Sequence, residues 1–206
     1  ASIPRQIPAS PSYRRFVWDE GFGPTVYALG GLPVRYFRWR NRTWEPLPTA
    51  GLPPRRDESW GDVVLEDEDG PALYSLIHEW GRPETPVRYR NGAWTLMPME
   101  FWQYDSGGEF NPMASVNLGD GMHIYGKLPG RRICKWSGQS WEEIGIAGGG
   151  AGNIYHMIGY NDGHGMALYV FGSFQTVNGV PALNFAKWDG QTWTGPWPQG
   201  NAGYSG

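Results

Sequence analysis

Few residues in this sequence are of types that do chemistry, and their neighbours decide what each could do. Cys134 lies in RRICKW, on a predicted strand. One thiol forms no internal disulfide, and no base adjoins it to draw off its proton, so a packed apolar role is expected. His78, His123, His156 and His164 show none of the close spacing that metal ligands use. The acidic run Glu66, Asp67, Glu68, Asp69, Gly70 holds a D-x-D-G fragment of the kind that offers oxygens to a hard cation. So short a hairpin supplies too few ligands, and a solvated turn that discourages edge pairing is expected instead. Asn41-Arg42-Thr43 is a glycosylation sequon, although Asn at a hairpin tip is sufficiently explained as a turn former. No nucleophile, base and orienting group assemble into a catalytic proposal. No catalytic, cofactor-binding or metal-ligating residue is therefore expected, no cofactor, and no enzymatic activity.

The elements that position these residues repeat. Four segments run from an aromatic through four turn-like residues to a Trp: WRNRTW (39–44), YRNGAW (89–94), WSGQSW (136–141) and WDGQTW (188–193). The closing Trp residues lie 50, 47 and 52 positions apart. A basic residue, Arg38, Arg88, Lys135 or Lys187, precedes each opening aromatic. Four residues between two aromatics read as a hairpin loop, with the aromatics as cross-strand neighbours. Asn41, Asn91, Gly92, Gly138, Asp189 and Gly190 supply the turn chemistry. Side chains alternate along a strand, so the basic residue points away from the aromatic beside it.

Upstream of each hairpin comes an apolar stretch: VYALGG (26–31), ALYSL (72–76), MHIYG (122–126) and ALYVFG (167–172). A further one precedes it across an acidic, Gly-bearing turn: RRFVW before DEGFG, DVVL before EDEDG, ASVNL before GDG, and IYHMIGY before NDGHG. Each repeat thus reads as four short strands in up-and-down order, each blade owning all its strands. No sustained helical period is present, and the density of Gly and Pro would break one. The expectation is all-β: a β-propeller of four four-stranded blades, or else a four-blade portion of a larger propeller or tandem array.

The first repeat, YALGG followed by RYFRWRNRTWEPLP, resembles the kelch family, whose motif joins a double glycine to a Tyr and a Trp at set spacing. Only that copy keeps the double glycine, Gly30 and Gly31. The other copies look more like the kelch-related blades of secreted bacterial repeat proteins, which carry an Ala-Lys-Trp-Asp-Gly-x-x-Trp hairpin; AKWDGQTW (186–193) is close to it. WDGQTW is similar also to the Asp-box hairpins of sialidase propellers, one residue short between Asp189 and Gly190. Those boxes are structural, so the likeness does not imply hydrolysis. Galactose oxidases use a kelch-like propeller too, with copper held by tyrosines, histidines and a Tyr-Cys crosslink. The histidines here do not reproduce such a set, and copper is not expected.

Along the chain, residues 1–11 (ASIPRQIPASP) read as a Pro-rich leader or linker. Blades are expected at 12–50, 57–100, 109–147 and 154–198, AGGGAG (147–152) as a flexible connection, and 199–206 as a tail. Aligned on their turns, the first strands of three blades offer Tyr13, Trp60 and Tyr155, then Arg14, Gly61 and His156, then Arg15, Asp62 and Met157 to a central channel. Arg15 and Asp62 are expected to pair across it as a structural contact.

Composition narrows the class. In 206 residues there are 31 Gly and 18 Pro, about twice the ~12% of average usage. The 12 Trp, 11 Tyr and 8 Phe supply a core that disordered chains lack. With 17 basic against 20 acidic side chains, one Cys and no long apolar run, a nucleic-acid partner, membrane insertion and a disulfide scaffold are all unexpected. The chain opens on Ala1, as after removal of a signal segment, and only three of its basic residues are Lys. The leading expectation is an extracellular or cell-surface structural or adhesive module, the repeating subunit of a surface polymer or filament. Its partners would be other copies of itself or another surface protein. The rivals are a carbohydrate-binding propeller that stacks glycans on exposed Trp faces, and a kelch-type protein-interaction adaptor.

Overall fold

A computed structural model describes residues 14–21, 23–30, 35–53, 58–78, 85–98 and 112–196. Side chains are described for these apart from residues 14, 15, 30, 58–61 and 112. Every regular element among them is a strand, and the strands form four antiparallel sheets. The chain divides into two compact units, one of Ala1–Leu65 with Gly70–Met99, the other of Glu66–Asp69 with Glu100–Gly206.

The first unit carries two sheets in simple sequence order. Sheet 1 comprises β1 (Arg14–Trp18), β2 (Thr25–Gly30), β3 (Arg35–Arg40) and β4 (Thr43–Pro46); sheet 2 comprises β5 (Glu58–Asp67), β6 (Gly70–His78), β7 (Thr85–Arg90) and β8 (Ala93–Leu96). Paired residues share a face in an antiparallel sheet. Tyr27 opposite Arg38 and Leu29 opposite Tyr36 therefore form one face of sheet 1, and Leu73 opposite Tyr89, itself opposite Trp94, one face of sheet 2. These two faces pack into a single core with Trp18, Leu47, Ile77 and Val87. Burying a large side chain of this kind contributes about 1.5–3 kcal/mol. One polar seam crosses that core: the Tyr36 hydroxyl donates to Asp62 Oδ1 at 2.9 Å and lies 2.7 Å from the buried Ser75 Oγ.

The second unit is built on the same plan with one departure. Sheet 3 contains β9 (Pro112–Asn117), β10 (Met122–Leu128), β11 (Arg132–Trp136) and β12 (Trp141–Gly148), and sheet 4 contains β13 (Asn153–Asn161), β14 (Met166–Ser173), β17 (Phe185–Trp188) and β18 (Trp193–Thr194). Ala114, Val116, Tyr125 and Ile133 of sheet 3 share a core with Met157, Leu168, Val170, Ala186 and Trp193 of sheet 4. Lys127, also buried, spans the two sheets by donating to the Ile154 carbonyl at 3.2 Å.

The departure concerns strand ownership. Each repeat was expected to keep its strands to itself, but β15 (Thr176–Val177) and β16 (Val180–Pro181), which lie between β14 and β17 in sequence, join the outer edge of sheet 3. Ala147 pairs with Val177 and Gly148 with Thr176, giving a six-stranded sheet. Asn178 and Gly179 at the tip have φ of 49° and 79°, as a tight two-residue hairpin turn requires. The physical reason is an edge to be covered: Asn178 Oδ1 accepts from Ile146 N at 2.8 Å and Asn178 N donates to Ile146 O at 3.0 Å. Ala147 and Gly148 are accordingly strand, where the glycine-rich run 147–152 suggested a flexible connection.

The bracketed hairpins also differ in their turns. Arg40 pairs with Thr43 and Arg90 with Ala93, which leaves two-residue turns at Asn41-Arg42 and Asn91-Gly92, not the four-residue loops expected. All four turn residues have positive φ, between 51° and 81°, matching the twist of the flanking strands. In the other two hairpins the last pairs are Trp136 with Trp141 and Trp188 with Trp193, so those loops do hold four residues.

Candidate functional site

The same constellation recurs at one end of each sheet, and it begins at the turn between the first two strands. Asp19 Oδ1 accepts from the amides of Gly21 and Gly23 at 2.8 and 2.9 Å, Asn117 Oδ1 from Gly119 and Gly121 at 2.8 and 3.3 Å, and Asn161 Oδ1 from Gly163 and Gly165 at 2.9 and 3.3 Å. All six glycines lie between φ 94° and 113°, where a side chain would be strained. The sequence pattern is Asp or Asn, x, Gly, x, Gly. Sheet 2 uses a shorter form, in which Asp67 Oδ1 accepts from Asp69 N at 2.9 Å.

These turns carry acids toward the basic residues of the bracketed hairpins. Lys135 Nζ donates to Asp120 Oδ2 at 2.5 Å and Lys187 Nζ to Asp162 Oδ2 at 2.6 Å, while the Arg38 guanidinium bridges Glu20 at 3.5 Å and Glu45 at 3.3 Å. Beside each basic residue on the neighbouring strand lies a tyrosine: Tyr27 opposite Arg38, Tyr74 opposite Arg88, Tyr125 opposite Lys135, Tyr169 opposite Lys187. All four are buried. Tyr169 goes furthest, donating its hydroxyl to Asp162 Oδ2 at 2.8 Å under the Lys187 ammonium, which stands 5.7 Å from the ring centroid. Sequence reading found the basic residues and the acidic turns but not these tyrosines, although the shared Tyr in YALG, YSLI, YGKL and YVFG was the signal.

Electrostatics follow from this arrangement. The hydrogen bond from Lys187, reinforced by Tyr169, holds the Asp162 carboxyl well below the ordinary carboxylate range and raises the Lys187 ammonium. Lys135 likewise lowers Asp120. Burial, helped by the charge of Glu20, pushes the Tyr27 phenol up and Tyr89 up to about 12; burial also raises Tyr125. Each shift favours the ionisation state that the packed fold already uses, so none presents a base or acid poised near neutral pH.

On the opposite face of the same hairpins stand the aromatic brackets. Trp39 and Trp44, Tyr89 and Trp94, Trp136 and Trp141, and Trp188 and Trp193 are cross-strand partners with ring centroids 5.3, 5.0, 5.4 and 5.2 Å apart. In each unit the closing Trp of the later sheet reaches the earlier one: Trp94 Nε1 donates to Pro48 O and Trp193 Nε1 to Ile144 O, both at 2.8 Å. Glycine makes room for both. A Cβ at Gly145 would lie 2.9 Å from Trp193 Nε1, and one at Gly51 only 2.3 Å from the Trp94 carbonyl oxygen.

The residues singled out for chemistry fall into ordinary roles. Cys134 is fully buried, and burial pushes its thiol up to about 11. His123 Nε2 lies 3.5 Å from Asp120 and His164 Nδ1 3.5 Å from Asp162, whereas His156 stands against Phe171 on another part of sheet 4. Among the described residues no three His, Cys, Asp or Glu are grouped to hold a metal ion. Asn41 is an exposed turn residue with φ 51°. Asp62 accepts from Tyr36; the Arg15 side chain, its expected partner, lies outside the described residues, as do Tyr13, the Arg14 and Trp60 side chains, the leader and the tail. Tyr155 is exposed and Met157 buried. In WDGQTW, Asp189 Oδ1 accepts from Gln191 N and Thr192 N at 2.8 and 2.7 Å, and Thr192 Oγ1 donates to Oδ2 at 2.9 Å, which lowers the carboxyl and closes the loop on itself.

No protein-family model matches the chain, and no curated protein matches it. Among the described residues no helix is long and apolar enough to cross a membrane.

Proposed function

We propose that the four sheets are blades of a kelch-like β-propeller and that the protein is a non-enzymatic, extracellular structural or adhesive module, which associates with copies of itself or with another surface protein. The observation that carries this reading is the repeated sheet-to-sheet contact, Trp94 to Pro48 and Trp193 to Ile144. Four-stranded sheets that meet by one recurring contact are how propellers are assembled. In the polar clusters that recur alongside it, Lys135 pairs with Asp120 and Lys187 with Asp162 within one sheet, which suits a scaffold better than a reaction centre. Stacking of glycans needs open ring faces. Tyr89, Trp94, Trp136 and Trp193 are buried and the other four bracket rings half-buried, which weighs against the lectin reading.

Electron microscopy of the purified protein, together with sedimentation, tests the proposal. Radially arranged blades within an ordered assembly of copies are the expected result. A monodisperse monomer that shows no ordered assembly, or hits on a glycan array, would replace it.

A further inference from the structure

An asparagine followed by glycine can react with itself, because glycine has no side chain to keep its nitrogen from attacking the asparagine side-chain carbon. Two such pairs occur in the chain, Asn91-Gly92 and Asn178-Gly179. Each is the two-residue turn of a hairpin, closed by Arg90 opposite Ala93 and by Val177 opposite Val180. Asn91 and Asn178 have φ of 51° and 49°, and Gly92 and Gly179 of 81° and 79°, so the two turns share one backbone form. All four residues are exposed, and a Cβ at either glycine would meet nothing within 4 Å. Turn type, exposure and access to the nitrogen therefore do not separate the two pairs.

The asparagine side chains do separate them. Asn178 is pinned to β12: its Oδ1 accepts from Ile146 N at 2.8 Å, its Nδ2 donates to Ile144 O at 3.4 Å, and its own amide donates to Ile146 O at 3.0 Å. Asn91 has no such ties, since its side chain makes no hydrogen bond among the described residues. The Arg90 guanidinium next to it is directed back along the sheet, where Nη2 donates to Gly70 O at 2.6 Å and Nε to Pro71 O at 3.4 Å.

We infer that Asn91 is a site of spontaneous deamidation in the folded protein, and that Asn178 is protected from the same reaction. Ring closure requires the asparagine backbone to swing out of its turn until the following nitrogen faces Cγ, so the rate scales with the fraction of time the turn is open. Opening at Asn91 disturbs its own turn, whereas opening at Asn178 must also release Ile144 and Ile146. The Gly92 nitrogen then bonds to Asn91 Cγ, the Cγ–Nδ2 bond breaks, and ammonia departs with the Gly92 amide proton. Water opens the cyclic imide, at Cγ to leave aspartate or at the main-chain carbonyl of residue 91 to leave isoaspartate. Either product places a negative charge at the tip of sheet 2. Isoaspartate also inserts a methylene into the main chain between the paired Arg90 and Ala93, one step from the Tyr89 and Trp94 bracket. The inference stands apart from the function proposed above.

The full chain is incubated in mildly alkaline buffer, once folded and once unfolded in guanidinium chloride, with far-UV circular dichroism to verify both states. Peptide mass spectrometry, with fragmentation across both pairs, follows the conversion of each asparagine to the acid, and enzymatic methylation reports isoaspartate. The unfolded sample gives the intrinsic ratio of the two rates. Relative to that ratio, Asn91 in the folded protein is expected to outpace Asn178 by about tenfold or more, the effect of the additional hydrogen bonds at Asn178. A folded ratio equal to the unfolded one, or one that favours Asn178, would overturn the inference. So would an Asn91 that reacts when unfolded and keeps its amide in the fold.

Discussion

Trp193 reaches out of sheet 4 to donate its indole N–H to the Ile144 carbonyl of sheet 3, and Gly145 is the residue whose missing Cβ lets the ring lie there. Trp193→Phe keeps an aromatic side chain but removes the donor and part of the buried indole, leaving the Ile144 carbonyl with only the longer bond from Asn178 Nδ2 at 3.4 Å. A loss of about 1–3 kcal/mol is expected in urea unfolding. Gly145→Ala is expected to cost a similar amount, about 1–3 kcal/mol, since a methyl group 2.9 Å from Trp193 Nε1 overpacks the contact. Equal, negligible shifts for both would show that the contact does not bear on stability.

The Asx turns should be sensitive at two distinct positions. Asn161→Ala removes the acceptor for Gly163 N and Gly165 N, and Gly163→Ala forces a side chain into φ 95°. Each is expected to destabilise by about 1 kcal/mol, the first through lost hydrogen bonds and the second through backbone strain. Asn161→Asp retains the acceptor and should behave as wild type in the same melts.

Stability should fall at both ends of the pH scale, for opposite reasons. Asp162 and Asp120 are held below the ordinary carboxylate range in the fold, so their contribution is complete above about pH 4 and is lost as pH drops through the folded values. Tyr27, Tyr89 and Tyr125 are raised by burial, so their contribution is complete below about pH 10 and is lost as pH rises beyond it. Thermal melts across pH should show a plateau with two falling limbs. Lys187→Met should make the acid limb shallower without altering the alkaline one.

Cys134 should resist thiol reagents in the folded protein. Its side chain is fully buried and its thiol is raised to about 11, so thiolate and access are both lacking. Labelling is expected to follow the unfolding transition in denaturant. Rapid labelling under native conditions would place Cys134 in a part of sheet 3 that opens locally.

Much of this organisation is legible in the sequence because strand and turn signals are local. The brackets from Trp39 to Trp193 announce cross-strand pairs, and the structure places each pair opposite one another. What escapes is everything set by contact between sheets. Nothing around Trp94 says that its N–H meets Pro48, 46 residues earlier. The hairpin at Thr176–Pro181 advertises itself by Asn178-Gly179, a strong turn signal, but its pairing with β12 depends on which edge lies open nearby. The polar clusters lie between these cases: Lys187 and the NDGHG turn are each visible, yet only the register of β14 against β17 brings Tyr169 beside them.

The hairpin that sheet 3 takes from later in the chain also orders events during synthesis. When Gly148 leaves the ribosome, the outer backbone groups of Ala147 and Gly148 have only water to bond until Thr176 and Val177 emerge. The third repeat therefore matures only after the fourth is largely made. A nascent chain halted between them would present a bare strand edge to whatever else is being translated alongside it.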